Sequence, residues 1–326
     1  MISIFCVLNK AILEEDIVVD GDFSIIHNSN RLEEIGNENT FMTVGSIYYD
    51  SIIKKPVIIQ RMLIDNENPY HLVQSFRGYF QHFLLSLWLL KDNSFNLDDI
   101  VLIDTNQNVL FTDKNPVLFS NSQGEYVDIG LSTNEVQEAL IWFERLKLHF
   151  FHDAKDNDEM YDGSIELRIN NNNKAIDYYS YNRLERAIRF IGLARGESFL
   201  PAKITFYISA LESLFSTSNV EVKMQVADRT ARVLGKDFEE RIKINKVVSI
   251  AYSFRSNYIH GSVNSEKTIR KTLKPYITIE EFCCELDEIL RQVLKLFLTD
   301  LNHIVEMDEA SFNKWISELL YKEKSE

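Results

Sequence analysis

Residues 153–174 separate two parts of the chain whose hydrophobic patterns differ. This stretch, DAKDNDEMYDGSIELRINNNNK, is acidic and rich in asparagine, with only the brief strand-like segment SIELRI inside it. Such a composition is typical of a linker between domains. Before it, short apolar and β-branched runs alternate with turn signals, and after it apolar residues recur at helical spacing. The pattern predicts an α+β N-terminal domain over residues 1–160, followed by an all-α domain over residues 161–326.

Short strands and two helices are predicted for the first domain. The strands are Ile2–Leu8, Ile17–Val19, Phe23–Ile26 and Val57–Ile59, followed by a hairpin of Ile100–Ile103 and Val109–Phe111. A long helix over Pro69–Leu90 follows Asn68, because asparagine is a good N-cap and proline is favoured in the first turn. A second helix runs from Ser132 or Thr133, either of which is a suitable cap, to about Phe151.

The second domain is predicted to consist of helices. Apolar residues recur three or four positions apart in six segments, which is the spacing of a helix that buries one face. The segments are residues 175–195, 201–216, 221–234, 238–260, 279–301 and 309–322. No repeat with a fixed period is present in the sequence.

The composition is typical of a soluble globular protein. Of the 326 residues, 45% are hydrophobic and 26% are charged, and glycine and proline are few, which excludes collagen-like repeats and general disorder. The longest apolar stretch, Phe83–Leu90, is far shorter than the roughly 20 residues that a membrane-spanning helix needs. The N-terminus lacks the basic start of a secretion signal. We therefore expect a cytoplasmic protein that is not embedded in a membrane.

Charge is distributed unevenly along the chain, whose formal net charge is −14. Residues 1–200 carry 17 basic and 30 acidic side chains, and residues 276–326 carry 5 and 12. Residues 201–275 carry 13 basic and 7 acidic side chains, a net charge of +6. Because acidic surfaces repel phosphates, only this middle region favours a polyanion, and a protein that coats nucleic acid by bulk charge is excluded.

The usual motifs of metal and nucleotide sites are missing from the sequence. There is no H-E-x-x-H, EF-hand, G-x-G-x-x-G, GK[ST] or G-x-S-x-G motif. The three cysteines, Cys6, Cys283 and Cys284, form neither a disulfide framework nor a zinc signature. We therefore expect no cofactor and no metal. The alternative is a metal centre at His149 and His152, which are three residues apart and precede several aspartates.

The strongest candidates for catalysis are Arg255 and His260, in the segment RSNYIHG. A neutral imidazole can take the proton of a ribose 2′-hydroxyl, whose oxygen then attacks the adjacent phosphorus. An imidazolium can protonate the leaving 5′-oxygen, and a guanidinium can stabilise the extra charge of the transition state. This chemistry cleaves RNA without a metal and leaves a 2′,3′-cyclic phosphate and a 5′-hydroxyl.

Spacing alone does not select this pair. With 15 arginines and 7 histidines, an arginine followed by a histidine after four to six residues is expected about once by chance, and it occurs three times. The other two pairs are Arg77 with His82, in an apolar helix where a partly buried histidine is usual, and Arg145 with His152. Gly261 distinguishes the third pair, because it can end the helix in a left-handed cap and leave His260 in the last turn, where the helix dipole favours an imidazolium.

The positions of Arg255 and His260 on one helix present a geometric difficulty. Five residues correspond to a rotation of about 140°, so the two side chains do not face one substrate from a straight helix. Two arrangements would remove the difficulty: a distortion of the helix before Gly261, or a two-fold dimer in which two such helices share a cleft. We expect a homodimer, or a larger assembly of dimers, formed through the C-terminal helices.

Three segments of the second domain resemble the HEPN superfamily, specifically its Apea-like branch in prokaryotic defence proteins. They are FYISALESLFS (206–216), ADRTARVLG (227–235) and IAYSFRSNYIHGS (250–262). The resemblance covers about residues 175–300. It implies a HEPN-like helical bundle that dimerises with its motif helices facing, and a metal-independent endoribonuclease site built from Arg255 and His260.

The resemblance also bears on the residues that follow the arginine. In many members of the superfamily a polar Asn, Asp or His comes directly after it. Here Ser256 occupies that position and Asn257 comes one residue later. Asn257 is therefore assigned to the catalytic set with Arg255 and His260, and Ser256 is assigned a supporting role.

Other side chains are assigned to this site by residue type. Glu212 can orient the arginine or the histidine from a neighbouring helix, and the alternative is a solvated or capping glutamate. Tyr258 can stack on a base or pack in the core. We expect four basic residues to contact backbone phosphates: Arg229, Arg232, Lys243 and Lys246. The alternative interpretation is that they form an ordinary solvated face of their helices.

Together these features predict a metal-independent endoribonuclease that acts as a prokaryotic antiviral defence or toxin effector, with RNA as its substrate. Residues 1–160 are expected to sense a trigger, to restrain the nuclease or to bind a regulatory protein or a phage-derived molecule. The alternative is a catalytically inactive HEPN scaffold, in which Arg255 and His260 stabilise a dimer or bind a nucleotide.

Overall fold

The computed structural model of the chain contains two compact units. The structure describes residues 2–19, 22–27, 32, 35–63, 69–104, 108–114, 117–149, 181–218, 220–261, 271 and 273–321. Unit 1 comprises Met1–Glu144, Arg195–Leu200 and Ile279–Asp287. Unit 2 comprises Arg145–Ala194, Pro201–Thr278 and Glu288–Glu326.

Unit 1 is built on a six-stranded antiparallel sheet with strand order β3-β4-β5-β1-β6-β7. The strands are β1 (Ile2–Asn9), β3 (Ile17–Val18), β4 (Phe23–Ile26), β5 (Val57–Met62), β6 (Asn96–Asp104) and β7 (Val109–Asp113). In the centre of the sheet, Ile4 of β1 is paired with Gln60 on one side and with Leu102 on the other. A separate parallel pair joins β2 (Ala11–Ile12) to β8 (Ile129–Gly130).

Both faces of the central strand β1 are buried, which explains its continuous apolar sequence. Successive side chains of a strand point to opposite faces. Ile4 and Cys6 therefore pack in one cluster with Phe83, and Phe5 packs in the other cluster with Ile52. Burial raises the pKa of the Cys6 thiol well above its ordinary value, so this cysteine is a core residue and not a nucleophile.

Four helices accompany the sheet among the described residues. They are α1 (Glu38–Val44), α2 (Ser46–Lys54), α3 (Pro69–Leu90) and α4 (Thr133–Lys147). Asn37 caps α1, since its side-chain oxygen accepts from the amide of Thr40 at 2.9 Å. At the start of α4, the amide of Ser132 donates to Glu135 and the amide of Glu135 donates back to the Ser132 hydroxyl, which is a capping box.

A buried arginine joins the later segments of unit 1 to its N-terminal part. Arg195 is only 2% exposed, and its guanidinium donates to the carbonyl oxygens of Leu84 and Asn93 and to the Asn93 side chain at 3.0–3.3 Å. The indole nitrogen of Trp88 donates to the buried carboxylate of Asp287 at 3.1 Å. Because buried polar groups need such partners, these contacts fix residues 195–200 and 279–287 on unit 1.

The described part of unit 2 is helical. Its helices are α5 (Arg183–Arg195), α6 (Leu200–Phe215), α7 (Val222–Leu234), α8 (Phe238–Ile259), the second half of α9 (Ile279–Phe297) and α10 (Glu309–Tyr321), with a 3₁₀ turn at Asn302–Ile304. Each helix buries one apolar face. Phe215 of α6 meets Phe297 of α9 edge to face at 5.6 Å between ring centroids.

The structure confirms the predicted fold class in its coarse form: an antiparallel sheet region is followed by a helical region. Most of the predicted strands and helices recur within a few residues, and Ser132 is the cap of α4. The helix predicted over residues 175–195 is described only from Arg183, and residues 175–180 and the predicted cap Asn68 lie outside the described residues. Helices α1 and α2 were not predicted. The predicted boundary near residue 160 lies outside the described residues and stays a prediction, as does the strand-like segment SIELRI. Within the described residues, no helix is both long and apolar enough to cross a membrane.

Candidate functional site

Helix α8 carries the Arg255 and His260 segment and pairs with α7 as a helical hairpin. The side-chain oxygen of Asp237 caps its start by accepting from the amide of Glu240 at 2.8 Å. The buried side of α8 consists of apolar residues three or four positions apart, namely Ile244, Val247, Val248, Ala251 and Phe254. This spacing fixes the rotation of the helix and hence the direction of every polar side chain near its C-terminal end.

Arg255 and His260 emerge from different sides of α8. At 100° per residue, Arg255 lies about 40° from the buried Ala251, and His260 lies about 180° from it. The side chain of Arg255 is accordingly only 23% exposed, and His260 is exposed. Helix α8 stays regular to its end, because the amide of His260 still donates to the carbonyl of Ser256 at 3.1 Å. A distortion before Gly261 therefore does not bring the two side chains together.

Arg255 is held by a carboxylate from the neighbouring helix α6. Its Nη1 donates to Oε1 of Glu212 at 2.7 Å, and Glu212 is 21% exposed. The hydroxyl of Tyr252 also bonds to the Glu212 carboxylate, and the guanidinium of Arg255 lies over the Tyr252 ring, 5.5 Å from its centroid. Glu212 thus orients the arginine, which is one of the two roles expected for it.

The polar groups around Arg255 influence one another. Burial, and then the negative charge of Glu212, raise the pKa of Tyr252, and the positive charge of Arg255 opposes this effect. The Nε of Arg255 is buried and has no hydrogen-bond partner among the described residues. A buried donor without a partner costs about 1–3 kcal/mol. Because this nitrogen is enclosed by the protein, an added anion can reach only the other donors of the guanidinium.

Gly261 ends helix α8 as the sequence predicts. Its φ of +66° lies in the left-handed region, which glycine adopts without steric cost. Its amide donates to the carbonyl of Tyr258, a short C-terminal turn that leaves His260 as the capping residue at the negative end of the helix dipole. The position predicted for His260 is confirmed.

The residues between Arg255 and His260 take intermediate to exposed positions. Ser256 and Asn257 are half-buried, and the carbonyl of Ser256 accepts the amide of His260. Tyr258 is 41% exposed, so it is not part of the core. Their catalytic and supporting roles stay predictions.

The four basic residues expected at phosphates have different surroundings. Arg229 is half-buried and donates to the carbonyl of Phe215 and, at 3.1 Å, to the hydroxyl of Thr217, so it caps the end of α6. Arg232 pairs with Asp228 one turn earlier on α7 at 2.8 Å. Lys243 and Lys246 are exposed and lie one turn apart on α8. Arg229 and Arg232 thus have structural partners on α6 and α7, and the phosphate contacts expected of all four residues stay a prediction.

A polar pocket of about 380 Å³ lies beside Glu212, at the C-terminal end of α6. Its walls include Arg183 and Arg186 of α5, Ser216, Thr217 and Glu309 of α10. Neither arginine was singled out from the sequence, because α5 by itself has the pattern of an ordinary amphipathic helix. The available signal was the presence of two arginines three residues apart, a spacing that places them on the same side of a helix.

The alternative metal centre cannot be built from the described residues. Among them, no group of three or more histidine, cysteine, aspartate or glutamate side chains is placed to hold an ion. His149 follows the end of α4 and is described, but His152 and the aspartates after it lie outside the described residues.

Comparisons with known proteins identify no family for this chain. No model of a known protein family, no curated protein sequence and no solved structure matches it. The assignment of function therefore depends on the residues and on their geometry.

Proposed function

We propose that this chain is a metal-independent endoribonuclease of the HEPN type, and that it acts as a prokaryotic antiviral defence or toxin effector. The observation that carries the proposal is the end of helix α8. There, Arg255 is oriented by Glu212, and the exposed His260 caps the helix before the left-handed Gly261.

Each of these residues has a role in the proposed reaction. The neutral imidazole of His260 takes the proton of the 2′-hydroxyl, and the oxygen forms a bond to the adjacent phosphorus as the bond to the 5′-oxygen breaks. A histidine in its protonated form returns a proton to that leaving oxygen. The guanidinium of Arg255 stabilises the extra negative charge on the phosphoryl oxygens, with donors fixed in direction by Glu212.

The site is complete only in a dimer. The two side chains point about 140° apart on a regular helix, so one chain offers a phosphate either the arginine or the histidine. A two-fold axis next to α8 places the arginine of one protomer beside the histidine of the other. It also brings two copies of the +6 region together in one groove, which favours a polyanion.

The first experiment measures RNA cleavage by the purified protein in EDTA. Wild-type protein is expected to cleave and to leave 2′,3′-cyclic phosphate ends. His260→Ala should lose at least about 100-fold in rate, because general acid–base catalysis contributes roughly 10²–10⁴-fold. His303→Ala is the matched control, since His303 is an exposed histidine of unit 2 outside α8. Activity that vanishes in EDTA and returns with magnesium would contradict the proposal.

The second experiment tests the shared site by mixing two inactive variants. Arg255→Ala and His260→Ala proteins are expected to be folded and inactive when separate. A mixed dimer contains the intact histidine of the first chain and the intact arginine of the second, so mixing should restore up to about a quarter of wild-type activity. If no activity returns although light scattering shows that the variants form dimers, Arg255 and His260 do not act across a two-fold axis.

A second candidate function is a catalytically inactive HEPN scaffold. The observation in its favour is the same ion pair, because an arginine that is 23% exposed and paired with Glu212 also serves to join α6 to α8. In that case Arg255→Ala lowers the stability of the protein, and neither wild type nor variant cleaves RNA. Toxicity of the expressed chain in bacteria, measured for wild type and His260→Ala, separates the two functions in the cell.

A further inference from the structure

The lining of the pocket beside Glu212 indicates which kind of ligand suits it. Every side chain around its volume of about 380 Å³ is polar or charged, and the charged ones are Arg183, Arg186, Glu212 and Glu309. An apolar ligand gains little from such walls, because most of their surface is polar. The lining favours a ligand that is charged and accepts hydrogen bonds.

Three guanidinium groups gather at this end of α6. Nη1 of Arg183 donates to the carbonyl of Ser216 at 2.9 Å, and Arg229 donates to the carbonyl of Phe215 just before it. Arg186, one turn after Arg183 on α5, is exposed and uses Nη1 on the carbonyl of Tyr181 at 2.5 Å. Of the three, Arg183 and Arg186 line the pocket, and since a guanidinium carries five N–H donors, these contacts leave both of them with donors for a ligand.

The arginines are close enough to repel one another. Burial lowers the pKa of Arg183, and the positive charges of Arg186 and Arg229 lower it further, with Glu309 opposing them. Burial also lowers the pKa of Arg229. Repulsion among like charges is relieved when an anion binds between them. The electrostatics of the pocket therefore favour an anionic ligand.

The two carboxylates do not cancel this charge. Glu212 is already paired with Arg255 at 2.7 Å, so its charge is balanced by an arginine outside the cluster. Glu309 lies in the first turn of α10, where the positive end of the helix dipole stabilises it. With Glu212 paired to Arg255, the remaining charged side chains of the lining are Arg183, Arg186 and Glu309, which leaves one more positive than negative charge in the pocket.

We propose that this pocket binds a phosphate group of the same RNA strand, next to the phosphate held by Arg255. The inference rests on the proposed function and identifies a substrate subsite for it. Glu212 links the two places, because its carboxylate lines the pocket and also accepts the hydrogen bond of Arg255. Planar guanidiniums that bind two phosphoryl oxygens at once suit such a site.

The test measures binding of a fluorescein-labelled 2′-O-methyl RNA ten nucleotides long, which has no free 2′-hydroxyl and cannot be cleaved. Fluorescence anisotropy gives its Kd between 50 and 300 mM salt for wild type, Arg186→Gln and Arg189→Gln. Arg189 is the matched control, since it is exposed on the same helix but lies over the ring of Tyr181 at 4.0 Å and does not line the pocket. Thermal unfolding verifies that both variants are folded.

Arg186→Gln is expected to raise the Kd about tenfold, and to reduce the slope of log Kd against log salt by about 0.7, the value for one phosphate contact on a single strand. Arg189→Gln should stay within about twofold of wild type, because Arg189 does not line the pocket and its guanidinium lies over the ring of Tyr181. Equal effects of the two substitutions, no effect of either, or a wild type that does not bind the oligonucleotide would each overturn the inference.

The outcome also separates this inference from the proposed function. A wild type that binds the uncleavable strand through Arg186, but does not cleave unmodified RNA, supports the phosphate site and refutes the nuclease. A wild type that cleaves RNA, with Arg186→Gln unchanged in Kd and salt slope, supports the nuclease and refutes the phosphate site.

Discussion

Replacing Glu212 with glutamine tests whether its carboxylate holds Arg255 in place. Glutamine keeps the length of the side chain and one oxygen acceptor but removes the charge. The Nη1 of Arg255 lies 2.7 Å from Oε1 of Glu212, and the two side chains are 23% and 21% exposed. The pair is therefore neither freely solvated nor fully buried.

The expected loss of stability follows from these distances and exposures. Hydrogen bonds to charged groups contribute about 1.5–3 kcal/mol when buried, and exposed ion pairs contribute about 0.2–1 kcal/mol. For a pair at intermediate burial we expect Glu212→Gln to lower the free energy of unfolding by about 1 kcal/mol. The same loss corresponds to a fall in Tm of roughly 2 °C in a chain of this size.

Urea denaturation of four proteins measures the interaction directly. They are wild type, Glu212→Gln, Arg255→Met and the double variant, and their unfolding free energies form a double-mutant cycle. We expect a coupling of about 1 kcal/mol between the two positions. Glu138→Gln is the control, since Glu138 is exposed in the middle of α4. A coupling below about 0.3 kcal/mol, the limit for independent sites, would refute the argument that Glu212 positions Arg255.

Two further predictions concern alkaline pH and backbone conformation. The pKa of the Tyr252 hydroxyl is raised above its ordinary value of 10.0 in the folded protein. As the pH rises, the unfolded chain therefore loses the hydroxyl proton before the folded chain does. The contribution of the protonated Tyr252 to the free energy of unfolding is complete below about pH 10 and is lost as the pH rises further. Tyr252→Phe should therefore lose less stability than wild type between pH 9 and pH 10.5 in urea titrations, and the exposed Tyr126→Phe should behave as wild type. Gly124 has a φ of +79°, and an added Cβ would collide with the carbonyl of Ser198, so Gly124→Ala should lower the free energy of unfolding by about 2 kcal/mol. Gly78→Ala, at a helical position with open space around it, should instead raise the free energy of unfolding by about 0.5–1 kcal/mol, and equal effects of the two alanines would contradict this account.

Local periodicity was sufficient to predict the long elements. Helices α3, α6, α7 and α8 begin and end within one residue of their predicted limits, because each buries one face along more than three turns. The left-handed cap at Gly261 was also predictable from local sequence, because glycine is the residue that most often adopts a left-handed conformation just after the end of a helix.

Short elements were not predictable in this way. Helices α1 and α2 span only 7 and 9 residues, and strands β2 and β8 span 2 residues each. Segments of that length contain too few turns or alternations for a period to be distinguished from chance, and they depend on the surfaces against which they pack.

The sequence by itself determined the long helices, the central strands, the uneven charge and the residues with catalytic potential. Only the tertiary structure decided that Glu212 meets Arg255 across 43 positions of sequence, and that Arg183 and Arg186 share a pocket with Glu212. Periodicity fixes which face of a helix is buried, whereas the neighbour that this face meets depends on how all the helices pack together. Contacts between residues distant in sequence are set by that packing, and no local pattern encodes them.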